Sequence, residues 1–248
     1  MSETAVALRS VAKNFPNGIE ALRATDLSIA EGSFVSLVGP SGCGKSTLLR
    51  LIAGLLAPTT GTIERHDDRM GFVFQDPTLM PWATALENVA LPLRLNGGTD
   101  DSSARHALQR LGLDGFAGAY PHQLSGGMQM RVSIARATVT SPRLLLMDEP
   151  FAALDEFTRF RLNDDLRALW QKHGWTVVFV THSVQEAVFL SQRVIVMSPR
   201  PGGIVADMRI DLPQERRNDF RLSHTFIDQC ACVSTSLHAA TAAQDSAA

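Results

Sequence analysis

The chain has 248 residues, with 23 basic and 25 acidic side chains giving a formal charge of -2, 45% hydrophobic residues and 19% charged ones. This length suffices for one large α/β domain with a minor lobe and a sizeable core, and the charge balance argues against a nucleic-acid binder working through a basic surface. Three cysteines, Cys43, Cys230 and Cys232, make no disulfide framework, no apolar run approaches the roughly 18 residues that span a bilayer, and no secretory pattern opens the chain.

In chain order, residues 6–11 and 22–29 alternate apolar and polar positions around the breakers Pro16, Asn17 and Gly18, which predicts two antiparallel strands and a turn. The β-branched run 34–38 predicts a buried strand, followed by a glycine-rich loop and a helix from Ser46 that ends near Gly54 and Pro58. A turn at 59–61 leads to a strand at 71–74. From Thr84 to about Thr140 the pattern is helical, broken at Pro92, 96–99, 112–118 and Pro121, and predicts a helical lobe inserted into the core. The runs 144–147, 176–180 and 194–197 have the continuous apolar character of buried parallel strands, with a helix at 158–173 between the first two. A last strand is expected around 204–210 and a helical segment from about Glu215. The Ala/Ser/Thr-rich stretch 234–248 has too little large apolar surface to offset ordering entropy and is expected to be disordered. The expected division is a core at 1–214 with the lobe at about 84–140, a C-terminal helical segment at 215–233, and the tail.

The segment Gly39-Pro40-Ser41-Gly42-Cys43-Gly44-Lys45-Ser46-Thr47 has G-x-x-x-x-G-K-[ST] spacing between a strand and a helix. Glycines let backbone N-H groups converge on phosphate oxygens, and the following helix adds its unpaired amides and positive dipole end. Lys45 is expected on the β- and γ-phosphates, Ser46 on Mg²⁺, and Thr47 on the α- or β-phosphate. Asp148 and Glu149 end the strand 144–147. Successive strand residues point opposite ways, so Asp148 can serve Mg²⁺ while Glu149 serves the water attacking the γ-phosphate. His182 closes the strand 176–180, and the capping-box spacing of Ser183 and Glu186 starts a helix just beyond it. Gln75, after the strand 71–74, is a candidate for Mg²⁺ or the attacking water. The following 76–82, with Leu79, Met80 and Trp82, is too apolar for a solvated loop and either folds into the core or meets a partner. Ser125, Gly126, Gly127 and Met128 open a helix and form a second anion site. With one full phosphate loop per chain, this second site is read as completing the nucleotide pocket of another copy. Cys230 and Cys232 lack a second pair of ligands nearby and are read as no metal site.

The order of residues 39–47, Gln75, 124–128, Asp148-Glu149, Ala153-Leu154-Asp155 and His182 resembles the ATP-binding cassette ATPases, the energising subunits of ABC transporters, over about residues 6–210. The resemblance implies a P-loop NTPase core of mainly parallel sheet, an N-terminal antiparallel β subdomain and an inserted helical subdomain. It implies a head-to-tail homodimer with two ATP molecules held between the phosphate loop of one copy and Ser125, Gly126 and Gly127 of the other. Asp155 would communicate between the sites, Phe15 would stack on adenine, and a membrane permease would dock near Gln75 to Trp82. Phe74-Gln75-Asp76, Pro81-Trp82, Glu87-Asn88-Val89, Met128 and 197–202 look most like the nitrate, sulfonate and taurine importer branch, which works with a solute-binding protein at the cytoplasmic face of the bacterial inner membrane. Two positions depart from the family pattern: Met130 replaces a common Gln, which bears on the dimer-facing surface, and Ser183 replaces the usual Asp after His182. A soluble ABC-type machine acting on nucleic acid or ribosomes is the alternative. Such proteins carry two cassettes or a long coiled coil, and this chain has one cassette and no heptad run. A kinase or GTPase has no use for 124–128.

Overall fold

The computed structural model describes residues 3–213, 215–216 and 218–245. In order these form β1 (Thr4–Asn14), β2 (Glu20–Ala30), β3 (Phe34–Val38), α1 (Lys45–Ile52), β4 (Thr60–Arg65), β5 (Met70–Val73), α2 (Ala85–Leu95), α3 (Ser102–Arg110) and α4 (Gly126–Thr138). There follow β6 (Leu144–Asp148), α5 (Glu156–His173), β7 (Thr176–Val180), α6 (Val184–Leu190), β8 (Arg193–Met197), β9 (Ile204–Arg209) and α7 (His224–Asp245). Two compact units result, one from the described residues up to His66 and from Gly174 onward, the other from Asp67–His173.

In the first unit β1 lies between β2 and β4 in an antiparallel sheet. Its inward residues Val6, Leu8 and Val11 alternate with exposed or half-exposed ones, the pattern of strands with one dry face. Elsewhere in this unit β3 pairs in parallel with β7 and β8, and β9 pairs antiparallel with β8. Every residue of β3 and β7 is buried, Ser36 and Thr176 included, and the sequence there is mostly apolar rather than alternating. Leu48, Leu49, Leu51 and Ile52 give α1 its buried face.

The second unit pairs β5 with β6 in parallel and carries α2 to α5. It holds the span 84–140 together with β5, β6 and α5. The N-terminus of α2 is closed by a reciprocal capping box: Glu87 N donates to Thr84 Oγ1 at 3.2 Å, and Thr84 N donates to Glu87 Oε2 at 2.7 Å. Met130, where the family commonly has Gln, is 2% exposed. An apolar side chain there fills the core of this unit, so the departure falls on packing and not on a surface.

Four expectations need correction. Strand β4 was not anticipated, because it pairs with β1 while leaving most of its residues exposed and so lacks apolar alternation. Pro92 does not break the helix but lies inside α2. One turn from the C-terminus its missing N-H removes a single helical bond, and Asn96 closes the helix by donating to the Pro92 and Leu93 carbonyls. The segment expected to be helical from about Glu215 makes a short 3-10 turn at Asn218–Leu222 before α7 begins.

The tail expected to be disordered from Ser234 continues α7 to Asp245, with 246–248 outside the described residues. The helix is anchored at its start, where Phe226 and Val233 are buried and the Phe226 ring meets Phe189 edge-on at 6.5 Å. Alanine then propagates an already nucleated helix at the lowest entropic cost of any residue. Arg216, just before α7, donates to the carbonyls of Val188, Phe189 and Ser191 at the end of α6, and the Arg221 guanidinium lies 3.6 Å from the Phe189 ring centroid. Burial pushes the Cys230 thiol up to about 11.

Candidate active site

In the first unit, residues 39–47 leave the carboxyl end of β3 and wrap into α1. Gly42 and Gly44 hold φ of 73° and 102°, and a Cβ on Gly44 would lie 2.7 Å from the Ala21 carbonyl oxygen. Only glycine satisfies both demands. Gly39 is closed in by Cys43 Sγ and the Met197 carbonyl, 2.8 and 3.0 Å from where its Cβ would stand. Gly44 caps α1 without a side chain, and Ser46 and Thr47 lie half-buried in the first turn. Lys45 is 3% exposed, and its Nζ donates to the carbonyls of Gly39 at 2.8 Å and Pro40 at 3.0 Å. The ammonium therefore spans the loop that phosphate oxygens would enter. Burial raises the Cys43 thiol, against the opposing charge of Lys45 beside it.

The same unit holds His182. Strands β3 and β7 run in parallel with Leu37 opposite Val180, so the phosphate loop after Val38 and His182 after Thr181 leave the sheet at one edge. Ligands of open α/β sheets collect at this carboxyl edge. His182 is exposed, and the turn behind it is tied: Glu186 N donates to Ser183 Oγ at 3.2 Å, and the Thr181 hydroxyl donates to the Glu186 carboxylate. Serine thus supplies the cap that the family's usual Asp would supply. Phe15 is half-buried in the turn after β1, with Lys13 Nζ 5.5 Å from its ring centroid. A groove of about 700 Å³ in this unit, lined by Leu8, Arg9, Asp26, Arg193 and Asp207 among others, involves none of these residues.

In the second unit the parallel register sets Val73 opposite Met147, which carries Gln75 and Glu149 to matching positions past the strand ends. Asp148 is the buried last residue of β6, and Glu149 is half-exposed with φ of 48°. A left-handed non-glycine residue costs about 1–2 kcal/mol, and such strain concentrates where a side chain must be aimed. Ser125 caps α4 by accepting from Met128 N at 3.3 Å. Gly127 is tight against α5, since a Cβ there would stand 2.6 Å from Thr158 Cγ2. Asp155 Oδ1 accepts from Thr158 N at 3.0 Å, and this backbone bond holds its carboxyl below the usual range. The structure therefore gathers 39–47 with His182 in one unit. In the other it places Gln75 beside Asp148-Glu149, and Ser125 to Met128 beside the start of α5 with Asp155.

Two residues with no catalytic or ligand-binding role in the sequence reading hold the loop after Gln75. Arg136 of α4 donates to the carbonyls of Pro77 and Thr78 at 2.8 and 2.9 Å. Asn88 of α2, fully buried, accepts from Met80 N at 2.8 Å and donates to the carbonyls of Met80 and Ala83 at 3.2 and 3.0 Å. Leu79 and Met80 are half-buried, while Trp82 is 76% exposed. The apolar stretch is neither core nor loose loop: it is pinned from both ends with its indole outward. The apolar character of 76–82 was the sequence signal for this arrangement, and it named neither Arg136 nor Asn88 as the residues that hold it.

Residues 22–152 match the ABC transporter family. The chain belongs to that family and is an ATP-binding, ATP-hydrolysing member of it. Its relatives include an ABC transporter ATP-binding protein of Methanocaldococcus jannaschii, 49% identical over 81% of this chain and 79% of that protein. They also include the aliphatic sulfonates import ATP-binding protein SsuB 2 of Pseudomonas syringae pv. tomato, 46% identical over 81% and 87%, and the taurine import ATP-binding protein TauB of Rhizobium johnstonii, 46% identical over 83% and 82%. Among solved structures, a dimeric bacterial ABC transporter cassette superposes with a TM-score of 0.75 at 37% identity, covering 84% of this chain and all of that one. A dimeric cassette in a post-hydrolysis state with ADP and phosphate gives the same TM-score, 0.75, at 38% identity and the same coverage of 84% and 100%. The fold is that of a P-loop NTPase, with an N-terminal antiparallel sheet, parallel strands and an inserted helical region.

Proposed function

We propose that the chain powers a bacterial ABC importer of a small sulfonated solute through a separate membrane permease. The reading is carried by the lysine-bearing cradle of residues 39–47 in a chain that aligns over 81–83% of its length with relatives named for import of aliphatic sulfonates and taurine.

In this reading the amides of 39–47 take the ATP phosphates, Lys45 neutralises the β- and γ-phosphates, and Phe15 offers a ring face to adenine. Ser46, Asp148 and Gln75 are oxygen donors of the kind Mg²⁺ prefers, a hydroxyl, a buried carboxylate and an amide, and would hold it. The metal would neutralise charge on the β- and γ-phosphates. Glu149 takes the proton of the attacking water, and His182 donates to the γ-phosphate. Ser125 to Met128 of a second copy supplies the remaining amides, with Asp155 linking the two sites. The pinned loop with outward Trp82 suits an apolar permease surface, and in this reading the chain works at the cytoplasmic face of the membrane. No helix among the described residues is long and apolar enough to cross a membrane.

Two experiments test this. Deleting the gene should abolish uptake of labelled taurine or a short alkanesulfonate, restored by the intact gene and not by a Lys45→Ala version; undiminished uptake of both would refute the solute class. Mixing Ser125→Arg chains with Lys45→Ala chains should restore about one working site per pair. Failure to recover ATPase activity at any ratio would refute the shared site.

A further inference from the structure

The turn at 198–203, between β8 and β9, packs on the outside of the phosphate loop. Gly202 sits so close that a Cβ on it would stand 1.9 Å from the Cys43 carbonyl oxygen. Its backbone is tied to β2, with Arg23 N donating to the Gly202 carbonyl at 2.9 Å and Gly202 N donating to the Ala21 carbonyl at 3.2 Å. The turn is closed on itself by Ser198 N donating to the Gly203 carbonyl at 2.8 Å. From it the exposed side chain of Arg200 reaches back, and its Nε donates to the Gly42 carbonyl at 3.2 Å. Gly42 and Gly44 hold left-handed backbone that an isolated chain samples only in part, so an outside contact that fixes one peptide reduces what the loop must lose on binding phosphate. The amide on the other side of that peptide, Cys43 N, is already committed to the Pro40 carbonyl at 3.3 Å.

We propose that 198–203 is a brace for the phosphate loop and that Arg200 is a positioning residue for nucleotide binding, acting through the Gly42–Cys43 peptide and not on the nucleotide. The inference rests on the placement of ATP phosphates at 39–47. It assigns work to the stretch Ser198-Pro199-Arg200-Pro201-Gly202, which the catalytic roles above leave unused.

The test compares ATP and ADP affinity by calorimetry, and steady-state ATPase kinetics, for the unaltered chain and for Arg200→Ala, Arg200→Lys, Gly202→Ala and Lys45→Ala. Loss of one hydrogen bond to a charged group corresponds to about a tenfold change. Arg200→Ala is therefore expected to weaken ATP and ADP about equally, by about tenfold, with KM raised and kcat kept within about twofold. Arg200→Lys should recover part of the loss. Because Arg200 is exposed, its variants should keep the parent's thermal midpoint, so the result stands even where Gly202→Ala does not fold. Unchanged affinity of Arg200→Ala, while Lys45→Ala loses binding in the same assay, overturns the brace. A loss confined to ATP also overturns it, because the guanidinium would then be acting at the γ-phosphate. Full binding by Lys45→Ala would overturn the placement of the nucleotide itself, and the brace with it.

Discussion

Arg136, ten residues into the helix that opens at Gly127's neighbour Gly126, donates to the carbonyl of Pro77 at 2.8 Å, two residues after Gln75. The same guanidinium holds the Thr78 carbonyl and hydroxyl at 2.9 and 3.0 Å, and Thr78 has φ of 47°. One side chain thus joins the helix begun by Ser125 to the loop begun by Gln75.

Arg136→Gln is expected to free the loop while leaving α4 helical. Removing a charged donor from these exposed and half-buried acceptors costs about 1–2 kcal/mol. Amide hydrogen exchange across 77–82 should accelerate by at least tenfold, while protection of 126–138 holds. Equal acceleration in both segments would mean that Arg136 supports the whole unit and not this loop.

Gly127→Ala should destabilise the protein by about 1–3 kcal/mol through overpacking, because the added methyl would stand 2.6 Å from Thr158 Cγ2. Thr158→Ser removes that methyl and keeps the backbone bond to Asp155, so the double variant should regain most of the loss in urea unfolding. Additive losses would mean that the close approach is not the cause.

Glu149→Gln should lower kcat by about 10²–10⁴-fold, the range for loss of a general base, with ATP affinity retained. Glu149→Gly should be equally inactive yet more stable than Glu149→Gln by about 1 kcal/mol, because glycine relieves the backbone at φ of 48°. Single-turnover kinetics and denaturant melts check the two halves separately.

The Thr84 backbone amide, followed by the Thr84 hydroxyl, holds the Glu87 carboxyl below its ordinary value of 4.5. A carboxyl whose value is lowered on folding contributes stability above its unfolded value, and that contribution is lost as pH falls through the folded one. The stability gap between the parent chain and Glu87→Gln should therefore be full near pH 6 and close progressively below about pH 4.5. A gap that does not change with pH would assign it to packing in place of the charged cap.

How much of this is legible in the sequence follows the range of the interactions. The phosphate loop, the paired acids after 144–147, His182 and the serine start of α4 are local patterns. Each needs a set backbone conformation over a few consecutive residues, so residue type and spacing specify it. The cap at Ser183 is local in the same sense, and so are the largely apolar strands.

Other features depend on neighbours far along the chain. The exposed residues of β4 form a strand because β1 offers an open edge, and the alanine-rich end of α7 is ordered because Phe226 and Val233 anchor its first turns. The Arg136 pin spans 58 and 59 residues of sequence, and the Arg200 contact to Gly42 spans 158. The sequence by itself determined the chemistry this protein carries, because phosphate cradles and carboxylate ends are short-range geometry. Only the tertiary structure decided which ordinary residues hold those elements in place, because a side chain's partner across such distances is chosen by packing and leaves no periodic trace.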